Sequence, residues 1–90
     1  MKTTALITGA SRGIGAEFAK IFAENGTDLV LTARSEQDLL DLKQEIESKY
    51  SVSVKTIVRD LSNSIEVQSL FDEIKTSGIT INYLINNAGF

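Results

Sequence analysis

The stretch TTALITGASRGIG (residues 3–15) decides the fold, because it joins a strand pattern directly to a glycine-rich turn. Its first six residues are apolar and β-branched, which predicts a short buried strand. The turn that follows carries Gly9, Gly13 and Gly15. From Ile14 onward apolar residues recur at helical spacing. We therefore predict a strand, a glycine turn and a helix in immediate succession.

Strand and helix patterns alternate along the rest of the chain, with connections of only a few residues. Such alternation predicts right-handed βαβ units, and so an α/β fold with a parallel sheet covered by helices on both faces. We expect the element order β-α-β-α-β-α-β and the strand order 3-2-1-4. The predicted strands are residues 3–8, 28–33, 52–58 and 80–86. The predicted buried stripes are Ile14, Phe18, Ile21 and Phe22 in the first helix, Leu39, Leu42 and Ile46 in the second, and Val67, Leu70, Phe71 and Ile74 in the third.

Polar residues and glycines mark the ends of these helices. Ser35 is positioned to cap the second helix, and either Ser62 or Asn63 to cap the third. Gly26 and Gly78 follow the first and third helices, where glycine is favoured because it adopts left-handed geometry without strain.

Composition excludes several classes of function. With 42% apolar residues, 23% charged residues and a net charge of −3, the chain resembles an ordinary globular domain without a nucleic-acid-binding surface. It contains no cysteine and no histidine, which excludes disulfides, thiolate or imidazole metal sites and a histidine general base. The sequence has no apolar run typical of a signal peptide or a membrane span. We expect a cytoplasmic protein with no membrane partner.

The glycine turn is suited to holding a phosphate. Gly9 allows a tight turn off the strand, Gly13 lets a pyrophosphate approach the backbone, and Gly15 lets the helix pack close to the sheet. The free N–H groups and the dipole of the helix then favour an anion. No Gly-Lys-Ser/Thr follows, so the turn is not a Walker loop. The alternative is a turn that needs glycine only for its conformation.

Three motifs, each following a predicted strand, resemble those of the short-chain dehydrogenase/reductase family. TGASRGIG (residues 8–15) is similar to its cofactor turn. Asp60 and Leu61 stand where that family places an acidic residue against the adenine ring, and NNAG (residues 86–89) is similar to its second signature. The resemblance covers residues 3–90 and implies an NAD(P)-binding Rossmann fold, of which this chain would be the first half only.

The end of the second strand indicates which dinucleotide is bound. Enzymes that prefer NAD place an acid there to accept from the ribose hydroxyls, whereas this chain has Arg34. A guanidinium holds a 2′-phosphate, and Arg12 in the glycine turn is placed to reach the same group. In the resembling family, basic residues at these two places accompany NADP. We predict NADP rather than NAD. The alternative is that Arg34 is only a solvent-exposed residue at the end of the strand and binds no ligand.

Other motif residues have structural interpretations as well. Asp60 could cap the third helix, and Asn86 and Asn87 could be turn formers, although adjacent asparagines also suggest side chains that tie neighbouring strands. Tyr50 and Tyr83 lack a lysine four residues later and are interpreted as packing residues. The predicted cofactor-binding residues are Gly9, Ala10, Ser11, Arg12, Gly13, Ile14, Gly15, Arg34, Asp60, Leu61, Asn87, Ala88 and Gly89.

The chain contains no predicted catalytic or metal-binding residue. The resembling family transfers hydride with a Ser, a Tyr-x-x-x-Lys pair and an Asn that follow the NNAG motif, and none has a counterpart here. We interpret residues 1–90 as a truncated Rossmann-type NADP-binding domain of a longer oxidoreductase acting on a carbonyl or alcohol, inactive alone. The alternatives are a non-catalytic dinucleotide-binding or redox-sensing module, or a structural fragment that binds nothing tightly.

The fourth strand would lie at an open edge of the sheet. Its apolar residues Ile81, Leu84 and Ile85 would lack a neighbour, and an unpaired apolar edge favours pairing with another chain. We expect a homo-oligomer through this strand, or association with a missing C-terminal half.

Overall fold

A computed structural model of the chain describes residues 2–87 and shows strands and helices in strict alternation. The predicted element order is confirmed. The elements are β1 (Thr4–Thr8), α1 (Gly13–Glu24), β2 (Asp28–Ala33), α2 (Glu36–Lys49), β3 (Val54–Val58), α3 (Ser64–Thr76) and β4 (Tyr83–Asn86). Within the described residues no helix is long and apolar enough to cross a membrane.

The four strands form one parallel sheet in the order β3-β2-β1-β4, as predicted. Their register brings the ends of the strands together: Thr8 pairs with Thr32 on one side and with Asn86 on the other. Thr32 in turn pairs with Ile57. The carboxyl ends of all four strands therefore meet at one edge of the sheet, which is where an open parallel sheet binds ligands.

Two hydrophobic clusters cover the two faces of the sheet. Successive strand residues point to opposite faces, so Ala5 and Ile7 belong to one cluster and Leu6 to the other. The larger cluster includes the predicted α2 stripe of Leu39, Leu42 and Ile46. The smaller cluster lies under α3 and contains Leu6, Val30, Ile57, Leu70 and Ile74.

The predicted buried stripe of α1 was largely wrong. Ile14, Phe18 and Ile21 are 67%, 37% and 54% exposed, and only Phe22 of the predicted set packs against the core. The buried face of the helix is instead formed by small residues, Gly15, Ala19 and Ala23. These residues bring the helix close to the sheet, and Ile14, Phe18 and Ile21 lie on the exposed face.

Three further predictions were partly wrong. Phe71 is exposed, although Leu70 and Ile74 of the same predicted α3 stripe are buried. Strand β4 covers four residues rather than seven. Strand β3 begins at Val54 and not at residue 52. Both strands lie at an edge of the described sheet, where one side has no partner strand to extend the pairing.

The helix ends follow the predictions closely. Ser35 Oγ accepts a hydrogen bond from Asp38 N at 3.2 Å and caps α2. Of the two candidates for α3, the cap is Asn63, whose Oδ1 accepts from Ile65 N at 2.8 Å. Gly26 and Gly78 have φ angles of 82° and 77°, in the left-handed region expected after a helix.

Candidate functional site

The glycine turn leaves the start of α1 without a side-chain cap. Gly9 and Gly13 have φ angles of 62° and 63°, which glycine adopts without strain. Arg12 is the N-cap residue, but its side chain makes no cap hydrogen bond, and the first turn contains no acidic residue. The first N–H groups of a helix lack partners within the helix. Here no side chain of the described residues caps them.

Gly15 holds the helix against the end of β1. A Cβ added at this position would lie 2.3 Å from Gly9 O and 2.9 Å from Asn87 Nδ2, closer than real Cβ contacts. A Cβ added at Gly13 would meet nothing within 4 Å. The predicted packing role of Gly15 is confirmed, and the backbone at Gly13 faces open space.

Adjacent asparagines tie β4 to the glycine turn. Thr8 Oγ1 lies 3.1 Å from Asn86 Oδ1, to which it donates, and accepts from Asn87 N at 2.8 Å. The amide of Asn87 donates to Gly9 O at 3.4 Å. The interpretation that these side chains connect neighbouring strands is confirmed. Ala88 and Gly89 lie outside the described residues.

A cleft of about 650 Å³ opens at the carboxyl ends of β1, β2 and β3. It brings together six of the predicted site residues: Gly9, Ser11, Arg12, Arg34, Asp60 and Leu61. The remaining wall comes from residues that the sequence prediction did not include: Ala33, Ser35, Arg59 and Ser62. Each of these directly precedes or follows a predicted site residue, and that adjacency was the signal available in the sequence.

Ala10, Gly13, Ile14 and Gly15 follow the cleft-lining residues of the turn or lie among them in the chain. Ala10 is fully buried, and its N–H donates to Thr32 O at 3.2 Å, so its polar hydrogen is used within the fold. Gly15 is buried against the turn. Gly13 and Ile14 line a second depression along the exposed face of α1.

Three arginines line the cleft and differ in their partners. Arg59 is held by Glu73, with 2.6 Å between Nη2 and Oε1, and by Val58 O. Arg12 is largely exposed and lies 3.7 Å from Asp38, measured between Nη2 and Oδ2. Arg34 forms no ion pair with any residue in the described part of the chain. The Arg34 guanidinium can therefore bind an anion without first breaking a salt bridge to a described residue.

Asp60 is ionised and held locally. Its Oδ1 accepts from Ser62 Oγ at 2.6 Å and from Ser62 N at 3.1 Å, and these hydrogen bonds lower the pKa of the carboxyl. The charge of Arg34 lowers that pKa further. Asp60 N donates to Glu66 Oε1, and Asn63 rather than Asp60 caps α3.

The two tyrosines pack as the sequence suggested. Tyr50 lies against the larger hydrophobic cluster, and the Tyr83 ring stacks at a tilt on Phe22 with 5.3 Å between centroids. Neither lines the cleft at the strand ends. Among residues 2–87 no cluster of carboxylates is arranged to hold a metal ion.

Comparisons with known proteins agree with this geometry. The chain matches the family model described as short chain dehydrogenase over residues 3–90. It is 44% identical over 86 residues to the very-long-chain 3-oxoacyl-CoA reductase of Kluyveromyces lactis, covering 94% of this chain and 25% of that protein. It is 39% identical over 89 residues to sulfoacetaldehyde reductase 2 of Chromohalobacter salexigens, covering 99% and 34%.

Solved structures superpose on nearly the whole chain. A short-chain dehydrogenase from Sphingobium yanoikuyae in complex with NADPH gives a TM-score of 0.88 at 39% identity, over 98% of this chain and 34% of that one. L-sorbose reductase from Gluconobacter frateurii, complexed with NADPH and L-sorbose, gives 0.92 at 31% identity, over 99% and 34%. The chain spans about a quarter to a third of the length of these relatives. The chain belongs to the short-chain dehydrogenase family.

Proposed function

We propose that this chain binds NADP(H) in the cleft at the strand ends and forms the cofactor-binding portion of an oxidoreductase. The parent enzyme would transfer hydride between the nicotinamide and a carbonyl or alcohol substrate. The relatives are named for different substrates, so the proposal specifies only this class. Two short-chain dehydrogenases whose structures resemble this chain were solved with NADPH, which supports the choice of dinucleotide.

The observation that carries the proposal is the cleft itself. It is lined by Arg34 and by Arg12, the N-cap residue at which α1 begins without a side-chain cap. A helix N-terminus without its own cap favours an anion, and guanidinium groups suit a phosphate. The end of β2 has no acid that would accept from the ribose hydroxyls of NAD and repel a 2′-phosphate.

Residues in the cleft and beside it fit the other parts of the dinucleotide. The open space over the Gly13 backbone would admit the pyrophosphate. Arg34 lies near Asp60, so a 2′-phosphate held by Arg34 would place the adenine toward Asp60 and Leu61. Asn87 would act indirectly by fixing Gly9. In this proposal the residues of the chain bind and orient the cofactor, which supplies the hydride when bound.

Isothermal titration with NADP⁺ and NAD⁺ tests the assignment. We expect the unmodified chain to prefer NADP⁺, and Arg34→Asp to reduce that preference at least tenfold, or about 1.4 kcal/mol. Lys49→Asp is the matched control, because it makes the same charge change at the opposite end of α2. An unchanged ratio for Arg34→Asp, or an equal change for Lys49→Asp, would count against a phosphate site at Arg34.

A non-catalytic dinucleotide-binding module is the second candidate, favoured by the absence of a tyrosine from the cleft wall in the described residues. Binding of 2′,5′-ADP relative to NADP⁺ separates the two. A cofactor-binding portion without its nicotinamide pocket should bind both within about tenfold. A larger advantage for NADP⁺ would show that these residues also hold the nicotinamide, as a self-sufficient module requires. We also expect no NADPH oxidation by the chain with aldehydes or ketones.

We also propose that the chain associates through strand β4 and that the parent enzyme is cytoplasmic. Tyr83 and Leu84 are exposed on β4, at an edge of the described sheet, and we expect this edge to pair with another copy or with further chain of the parent enzyme. Sedimentation at several concentrations measures this, and a concentration-independent monomer would contradict it.

The expected location is the cytoplasm, which fractionation of cells expressing the parent enzyme would test.

A further inference from the structure

Arg12 is already paired in the structure, and its partner is an acid at the rim of the cleft. Arg12 precedes α1, whereas Asp38 lies in the first turn of α2. Their charged atoms, Nη2 and Oδ2, are 3.7 Å apart. The Arg12 side chain is 85% exposed and that of Asp38 39% exposed. Exposed ion pairs contribute little net stability, so the pair can exchange with a competing anion.

The position of Asp38 is fixed by the fold. Its backbone N–H donates to Ser35 Oγ, the cap of α2, and Ser35 itself lines the cleft next to Arg34. The Asp38 carboxylate thus lies in the first turn of α2, within reach of Arg12 and on the side on which the 2′-phosphate is proposed to lie. Glu36 shares the first turn of α2 but forms no ion pair within residues 2–87.

We propose that Asp38 limits the preference of the site for NADP over NAD by competing with the 2′-phosphate for Arg12. This inference rests on the proposed cofactor site. A 2′-phosphate must displace the Asp38 carboxylate from Arg12 and then remain near that carboxylate as a like charge. NAD has no 2′-phosphate, so its binding leaves the pair intact. Asp38 is therefore a residue that weakens NADP binding selectively.

The test is a measurement of both dissociation constants in Asp38→Asn. We expect the preference for NADP⁺ over NAD⁺ to rise about fivefold, with NAD⁺ binding unchanged within about twofold, as for neutralising one nearby like charge. Thermal stability should fall or stay the same, because an acid in the first turn favours the helix. A structural role would instead weaken binding of both dinucleotides together with stability.

Asp41→Asn is the matched control. Asp41 lies one turn further along α2 and accepts from Gln37 Nε2, so the same substitution removes a charge that does not pair with Arg12. The ratio should change by less than about twofold. An equal rise in Asp41→Asn would show a general charge effect and overturn the inference, as would an unchanged or lower ratio in Asp38→Asn.

A double-mutant cycle with Arg12→Ala tests whether Asp38 changes the cofactor preference through Arg12. If Asp38 acts through Arg12, the gain from Asp38→Asn should be smaller in the Arg12→Ala background, where only the direct repulsion between Asp38 and the 2′-phosphate remains. An equal gain in that background would overturn the competition for Arg12. If the unmodified chain does not prefer NADP⁺, the proposed cofactor site itself is wrong. If it does and Asp38→Asn changes nothing, only this inference fails.

Discussion

The N-terminus of α1 and those of α2 and α3 are built in opposite ways. Ser35 and Asn63 cap the later two helices, each of which also carries an acid in its first turn. Helix α1 has an arginine at the N-cap, no side-chain cap and no acid in its first turn. The same sheet thus supports two helices whose side-chain caps each satisfy one of the first N–H groups, and one whose first N–H groups receive no side-chain cap from the described residues.

The contrast extends to how each helix meets the sheet. Helix α2 packs through Leu39, Leu42 and Ile46, as an ordinary amphipathic helix does. The buried residues of helix α1 are a glycine and two alanines, whereas Ile14, Phe18 and Ile21 lie on the exposed face. The small face lets the helix start directly at the strand end. We infer that close approach at this point took precedence over burial of large side chains.

Gly15→Ala should have the largest effect, because it removes that close approach. The new Cβ would lie 2.3 Å from the Gly9 carbonyl oxygen, a backbone atom. We expect a loss of about 3 kcal/mol in the free energy of unfolding. Thermal denaturation should show this as a fall of about 4–8 °C per kcal/mol for a domain of this size.

Gly13→Ala is the control for that substitution. Its Cβ would meet nothing within 4 Å, but the residue has a φ of 63°. The expected cost is therefore only that of left-handed geometry, about 1–2 kcal/mol. If both variants lost equal stability, the close contact at Gly15 would not be the feature that positions α1.

Arg12→Ser should convert α1 into a helix like the other two. The N-cap residue has extended backbone geometry that a capping serine also adopts. We expect this variant to be more stable than Arg12→Ala by about 1 kcal/mol, the usual value of a cap. Both variants lack the guanidinium, but the serine also uses an N–H that the phosphate would need.

Of the two variants, Arg12→Ser should therefore be the more stable and should bind the ligand more weakly. Titration with 2′,5′-ADP is expected to give affinities in the order unmodified chain, Arg12→Ala, Arg12→Ser, with the last step about tenfold for one lost hydrogen bond to a charged phosphate. If the serine variant bound at least as tightly as the alanine variant, the uncapped N–H groups would not face the ligand.

Sequence periodicity and local chemistry account for different parts of the structure. The strand order, the α2 stripe and the caps were predictable, because alternation, spacing and cap residues are local signals. The buried face of α1 was not, because hydrophobicity favours Ile14 and Phe18, whereas the true face is selected by a backbone contact at Gly15. That contact arises from the tertiary fold, so it cannot be deduced from the spacing of apolar residues in the sequence.

The candidate site likewise has features that the sequence predicts and features that it does not. The motif residues Gly9, Arg34 and Asp60 come together because parallel strands end at one edge. The partners of the arginines were not predictable. Asp38 and Glu73 lie on helices whose rotation relative to the cleft is set by packing. Sequence therefore indicated that Arg12, Arg34 and Asp60 reach the cleft. It missed Arg59 and did not indicate which of the arginines are already paired.

Asn63→Ala should have the smallest effect, and it tests the capped side of the comparison. Asn63 Oδ1 accepts from Ile65 N at 2.8 Å, so its removal leaves an N–H of α3 without its cap. We expect a loss of about 1 kcal/mol in the free energy of unfolding, measured by urea denaturation. Asn63→Ser should restore most of that loss, because serine is also a good cap. Asn63 does not line the cleft, so binding of 2′,5′-ADP, measured where both variants are folded, should stay unchanged. A clear loss of binding in Asn63→Ala would mean that the α3 cap also positions Asp60, and that the capped helices take part in the site as well.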